Sequence, residues 1–124
     1  MEAFERLIAA QGGDLSQPLP VSVARQHVTA HQSGYLTRLD ARGVGVAAWR
    51  HGAGRARQQD PVSATAGIVC LKKEGDAVVE GEPILELHVD DPTRVDRALE
   101  ALEGAITIGA DRVEPAPLIL DRIV

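Results

Sequence analysis

The chain predicts a small α+β domain with most of its core in strands, on three observations. First, Gly67 to Val89 reads as three short strands joined by two tight turns. Second, an amphipathic helix follows at about residues 92–104, and a short helix opens the chain. Third, Phe4, Tyr35 and Trp49 are the only aromatic residues among 124, so the core is built from Val, Leu, Ile and Ala. A chain of this length buries a real core as one domain.

Within the central stretch, Ile68-Val69-Cys70-Leu71 is an apolar run of strand length. Lys73-Glu74-Gly75-Asp76 breaks it, and Gly75 supplies the positive φ of a tight hairpin turn. Ala77-Val78-Val79 is the second strand, and Glu80-Gly81-Glu82-Pro83 turns the chain again. From Ile84 to Val89 the residues alternate, with Leu85, Leu87 and Val89 on one side and Ile84, Glu86 and His88 on the other. At the N-terminus, Phe4, Leu7 and Ile8 define one helical face over residues 2–11, and Gly12-Gly13 ends it. That helix spans under three turns and needs a surface to pack on.

Asp14 to Pro20 is a loop, Val21 to Ala30 a candidate strand, and Tyr35 to Leu39 another, ended by Asp40-Ala41-Arg42-Gly43. Val44 to Trp49 is open between strand and short helix. His51 to Pro61 is polar and glycine-containing, and is expected as an exposed loop. Asp91 and Pro92 cap the later helix, whose stripe is Val95, Ala98, Leu99, Leu102 and Ile106. Ala105 to Ile108 is expected as strand, and Pro115-Ala116-Pro117 leads to a last strand over Leu118-Ile119-Leu120 and Ile123-Val124.

Composition excludes several classes. A formal charge of −5 repels a phosphate backbone, and so few aromatic residues leave no stacking platform for single strands, so nucleic acid is not an expected partner. No apolar run reaches the length of a membrane span, and Met1 to Arg6 lacks the basic region and long apolar run of a secretory signal, so a cytoplasmic, membrane-free protein is expected. Cys70 is the lone cysteine and is expected as a small buried hydrophobe rather than a nucleophile.

Sites of chemistry are sparse. His27 and His31 have helical ligand spacing but no third ligand, and are expected to be structural or solvated. Asp90-Asp91 reads as a helix cap, and Glu74, Asp76, Glu80 and Glu82 as a solvated acidic rim. Gly52-Ala53-Gly54-Arg55 with Arg57 is the one segment suited to contact a substrate or a neighbouring domain. Its glycines let backbone N–H groups approach an anion, and arginine binds phosphate through two parallel hydrogen bonds. It lacks the strand and helix context of a nucleotide-binding loop, and a mobile surface loop with salt-bridged arginines is the plain alternative.

Two resemblances follow from these residues. Lys73 to Leu85 resembles half of a biotinyl/lipoyl carrier domain, a flattened barrel-sandwich of strands. Such carriers need a modified lysine at a hairpin tip, whereas Lys72 and Lys73 lie inside the shared β motif, so no cofactor is expected. The second is longer. Ala10-Gln11-Gly12-Gly13-Asp14, Ser33-Gly34-Tyr35, Gly43-Val44-Gly45, Gly52-Ala53-Gly54-Arg55, Asp60-Pro61-Val62, Ala66-Gly67-Ile68, Gly75-Asp76-Ala77-Val78, Gly81-Glu82-Pro83-Ile84-Leu85 and Pro117-Leu118-Ile119-Leu120 follow in order. This set is similar to the C-terminal part of the thymidine and pyrimidine-nucleoside phosphorylases.

That resemblance implies a fold and a role. The family is a group of homodimeric pentosyltransferases that convert thymidine or uridine plus phosphate to free base plus (deoxy)ribose 1-phosphate. Residues 1–30 would be the tail of its large α/β domain, and residues 31–124 its C-terminal α+β hammerhead domain. The family's base- and phosphate-binding motifs lie earlier in its chain and match no position here. The resemblance therefore implies no catalytic, cofactor or metal residue, an inactive isolated chain, and a partner α/β domain in cis or trans, with self-association also expected. Gly52, Gly54, Arg55 and Arg57 are the expected cleft-loop contacts. The alternative is a free-standing, non-catalytic module that holds a small ligand or a protein.

Overall fold

The strands divide between two small antiparallel sheets that share one apolar layer, with a helical pair covering it. A computed structural model describes residues 2–114, 117, 119 and 121–123. The first sheet has the order β1 (Ala24–Thr29), β5 (Pro83–Val89), β3 (Gly67–Cys70), and the second β4 (Ala77–Val78), β2 (Gly34–Leu39), β6 (Ile106–Gly109). Neither sheet closes, so the strands form an open α+β domain rather than a barrel.

β5 organises the first sheet. Its predicted alternation holds: Leu85, Leu87 and Val89 are buried while Glu86 and His88 are partly exposed. Ile84 departs from the pattern and is also fully buried, beside an irregularity where Thr29 pairs with Pro83. In register, β1 sets His27 opposite Glu86, and β3 sets Ile68 opposite Leu87.

The expected hairpin between β3 and β4 does not form. The turn at Lys73 to Asp76 closes on itself, with Asp76 N–H donating to the Lys73 carbonyl at 3.0 Å and Gly75 at φ +89°. The chain then crosses to the other sheet: Leu36 N–H donates to the Asp76 carbonyl at 2.9 Å, and Gly75 N–H to the Leu36 carbonyl at 2.8 Å. β4 pairs with β2, not with β3. β3 is thereby left as an edge strand, and this corrects the expectation for Cys70, whose thiol is exposed.

The open choice at Val44 to Trp49 resolves as helix. α2 runs Ala41–Ala48, and the Asp40 carboxylate accepts from Gly43 N–H at 2.9 Å. A residue read as a strand terminator is thus also an N-cap. The later helix is as expected at its start: Asp91 accepts from Thr93 N–H, Pro92 opens a 3₁₀ turn at Pro92–Arg94, and α3 continues over Val95–Leu102. Val95, Ala98 and Leu102 are buried and Leu99 is partly so. α3 ends two residues before the expected limit, and Ile106 belongs to β6.

α1 spans Glu2–Ala10 and buries no side chain; Phe4 and Leu7 remain about half exposed. Of the expected last strand, Leu118, Leu120 and Val124 lie outside the described residues, as do Pro115 and Ala116 of the link before it; Pro117, Ile119 and Asp121 to Ile123 carry no strand pairing. The acidic rim is not merely solvated. Glu74 accepts from Leu39 N–H, Asp76 from Lys73 N–H and Glu82 from Val79 N–H, each at 2.8–2.9 Å, and Glu82 also pairs with Lys72 at 2.6 Å.

Candidate functional site

Past α2 the chain enters a π-helical turn at Trp49–Ala53 instead of the exposed loop expected from His51 onward. His51 is only 1 % exposed, and Gly52 is buried beside it. The His51 ring lies 3.0 Å, through Nε2, from the His88 carbonyl on β5. A carbonyl only accepts, so Nε2 carries the proton; Nδ1 is buried without a partner among the described residues. Gly52 sits at φ +122°, a conformation that side chains with a Cβ rarely adopt, and this lets the chain leave the helix sharply.

The far end of the segment is tied to the same strand. Ser63 N–H donates to the Gly52 carbonyl at 3.0 Å, closing the loop base. The hydroxyls of Ser63 and Thr65 both donate to the Asp90 carboxylate just beyond β5. Those donors, Ser63 first, hold the Asp90 carboxyl below the usual carboxylate range. The segment from Gly52 to Ser63 is therefore a loop with two clamped stems, one on the His88 carbonyl and one on Asp90.

The predicted cleft-loop residues fall in different places. Gly52 lines a smaller hollow of about 190 Å³ with His51, Ser63 and Asp90. Gly54 lines a larger cleft of about 460 Å³ and packs against the indole of Trp49, where a Cβ would come within 2.7 Å of Cδ1. Arg55 points its guanidinium back to the Gln58 carbonyl at 3.2 Å, and Arg57 is held at its backbone N–H by Asp60 at 2.8 Å. Neither arginine lines the larger cleft, whose cations are Arg50, Arg94 and Arg97. The expected apolar stripe of this helix leaves Arg94 and Arg97 off its buried face, and no site was expected of them. The missed signal was their i, i+3 spacing beside the Asp91-Pro92 helix start, on the side turned toward Trp49.

The other candidates do not assemble a reaction centre. His27 and His88 flank Glu86 on the outer face of the first sheet at 3.1 and 2.8 Å, and Arg25 approaches at 3.5 Å. These contacts, His27 first, lower the Glu86 carboxyl. His31 is exposed at a turn, away from that group. Among the described residues no set of three His, Cys, Asp or Glu side chains is grouped to hold a metal ion, and no helix is long and apolar enough to cross a membrane.

Residues 35–109 match the family model "Pyrimidine nucleoside phosphorylase C-terminal domain". The whole chain aligns with a thymidine phosphorylase of Mycobacterium tuberculosis (strain H37Rv) at 45% identity over 124 residues, covering 29% of that protein. It aligns with a pyrimidine-nucleoside phosphorylase of Staphylococcus aureus (strain NCTC 8325) at 37% identity over 129 residues, again all of this chain and 29% of the relative. This chain belongs to the pyrimidine nucleoside phosphorylase C-terminal domain family. It spans about 29% of the length of the curated relatives it matches.

Proposed function

We propose that the chain works as the accessory C-terminal domain of a pyrimidine-nucleoside (thymidine) phosphorylase, whose reaction converts thymidine or uridine plus phosphate to free base plus (deoxy)ribose 1-phosphate. The observation that carries this reading is the end-to-end alignment with a thymidine phosphorylase at 45% identity. In this reading residues 1–30 are the tail of a larger α/β domain, with β1 reaching across to pair with β5, and residues 31–124 are the hammerhead body. The α/β domain is the partner, in cis or trans, and holds the groups that break the glycosidic bond.

The loop that starts at Gly52 is the part suited to meet that domain. Its stems are clamped while its tip, from Gly54 through Arg57, is exposed except for half-buried Gly54. A tip carried on fixed stems limits how far a cleft opens and helps exclude water when it closes. Gly52 gives the bend, Gly54 gives room beside the Trp49 indole, and Arg55 and Arg57 give the charge.

The test uses a full-length relative lacking the residues equivalent to 52–57. Turnover is expected to fall by about tenfold or more with a raised KM, as for enzymes that lose a closing loop. Unchanged turnover and KM would overturn the loop's role. The isolated chain is expected to release no thymine from thymidine and phosphate; thymine release by highly purified chain would overturn the accessory reading.

A further inference from the structure

The larger cleft differs in charge from the protein that carries it. The chain as a whole has a formal charge of −5, yet the cleft sets Arg50, Arg94 and Arg97 against only Asp60 and Asp91. Both carboxylates are engaged locally: Asp60 accepts from Arg57 N–H at 2.8 Å, and Asp91 from the N–H and hydroxyl of Thr93 at 3.0 and 2.6 Å. Two of the three guanidinium groups already have acidic partners: Arg50 stands 3.8 Å from Glu100, and Arg94 donates to Asp91 through Nε at 3.2 Å, leaving its two terminal nitrogens without a hydrogen bond among the described residues. Arg97 lends only its backbone carbonyl, to Arg50, and its side chain makes no hydrogen bond or ion pair among the described residues.

Trp49 forms part of the same wall and is 42 % exposed, although tryptophan is among the side chains with most to gain from burial. A half-exposed indole beside arginines is a surface on which a planar ring stacks, and a guanidinium fork matches a phosphate group. The volume of about 460 Å³ lies within the usual span for small-molecule sites, about 300–1,000 Å³.

We propose that this cleft binds a nucleoside monophosphate, with the base against Trp49 and the phosphate on Arg94 and Arg97, Arg50 being the third cation. The class follows from the lining. Arg97 alone of the three arginines has no carboxylate partner among the described residues, and one free guanidinium suits one phosphate group, while the acidic surface outside the cleft opposes a polyphosphate or nucleic acid. An acidic peptide would use the arginines but gives no reason for the exposed indole. The inference does not rest on the phosphorylase reading, because binding is measured on the chain itself, without turnover.

Trp49 is the only tryptophan, so its emission reports this cleft alone. Titration with UMP is expected to change that emission saturably, with UMP binding about tenfold more tightly than uridine, which lacks the charged contact, and than inorganic phosphate, which lacks the stacked base. Arg97→Gln is expected to weaken UMP about tenfold while leaving the unfolding midpoint unchanged, since the Arg97 side chain supports no other group. No saturable response to UMP, an unchanged affinity in Arg97→Gln, phosphate binding as tightly as UMP, or a Glu-rich peptide binding more tightly than UMP would each overturn the proposal.

Discussion

Asp90 shows how much one side chain beyond the end of a strand controls. It receives the hydroxyls of Ser63 and Thr65 and so ties the returning stem of the loop to β5. Because those donors hold its folded carboxyl below the ordinary value, the clamp contributes fully above the unfolded carboxylate value of about 3.9, and is lost as pH falls through the depressed folded value. Glu86, lowered first by His27, works in the same direction. Urea unfolding midpoints are therefore expected to drop more between about pH 7 and about pH 3 for the wild type than for Asp90→Asn, whose carboxamide does not titrate. Equal pH dependence in the two proteins would remove Asp90 from the account. The cap role of Asp91 was legible from its place before Pro92. The clamp role of Asp90 was not, because Ser63 and Thr65 lie 27 and 25 residues away in the chain.

The helices make the clearest case at the scale of elements. α2 carries two glycines in eight residues, which weakens any helical reading of its sequence. Gly43 is there for space: an added Cβ would come 2.7 Å from the Ala105 Cβ and 3.2 Å from the Asp40 carboxylate. Gly45 has nothing within 4 Å of an added Cβ. Gly43→Val is expected to destabilise by about 1–3 kcal/mol through overpacking, and Gly45→Ala to stabilise by up to about 1 kcal/mol through helix propensity. Chemical denaturation of the two variants checks the pair, and the same sign for both would contradict the packing described. A similar contrast separates β5, whose alternation was readable, from β4, whose partner was not. Val78 is buried where β4 pairs with β2, and its apolar character asks only for burial, not for one sheet over the other.

Across the whole molecule, α1 stands apart. Its apolar face, Phe4 and Leu7, is exposed, whereas Leu36, Ile84, Leu85 and Leu87 are fully buried without its help. Removal of residues 1–20 is therefore expected to leave the thermal midpoint within about 2 °C of the full chain, since burial of apolar area supplies the stabilisation and little would be lost. A large drop would show that α1 packs on this body in solution and would weaken its assignment to a neighbouring domain. The amphipathic pattern of residues 2–11 was legible, and so was its need of a surface to pack on.

Local periodicity and local caps were enough to find β5, α1, the start of α3 and the strand at Ile106, because each depends on residues within a few positions of one another. The ordered glycine and proline motifs were enough to indicate the family. Pairing between sheets, the burial of His51, the exposure of Cys70 and the meeting of Trp49 with Arg94 and Arg97 were decided only in three dimensions. Each of those depends on where the chain goes after a turn, and a turn that closes on itself leaves no mark of the strand that its exit will join.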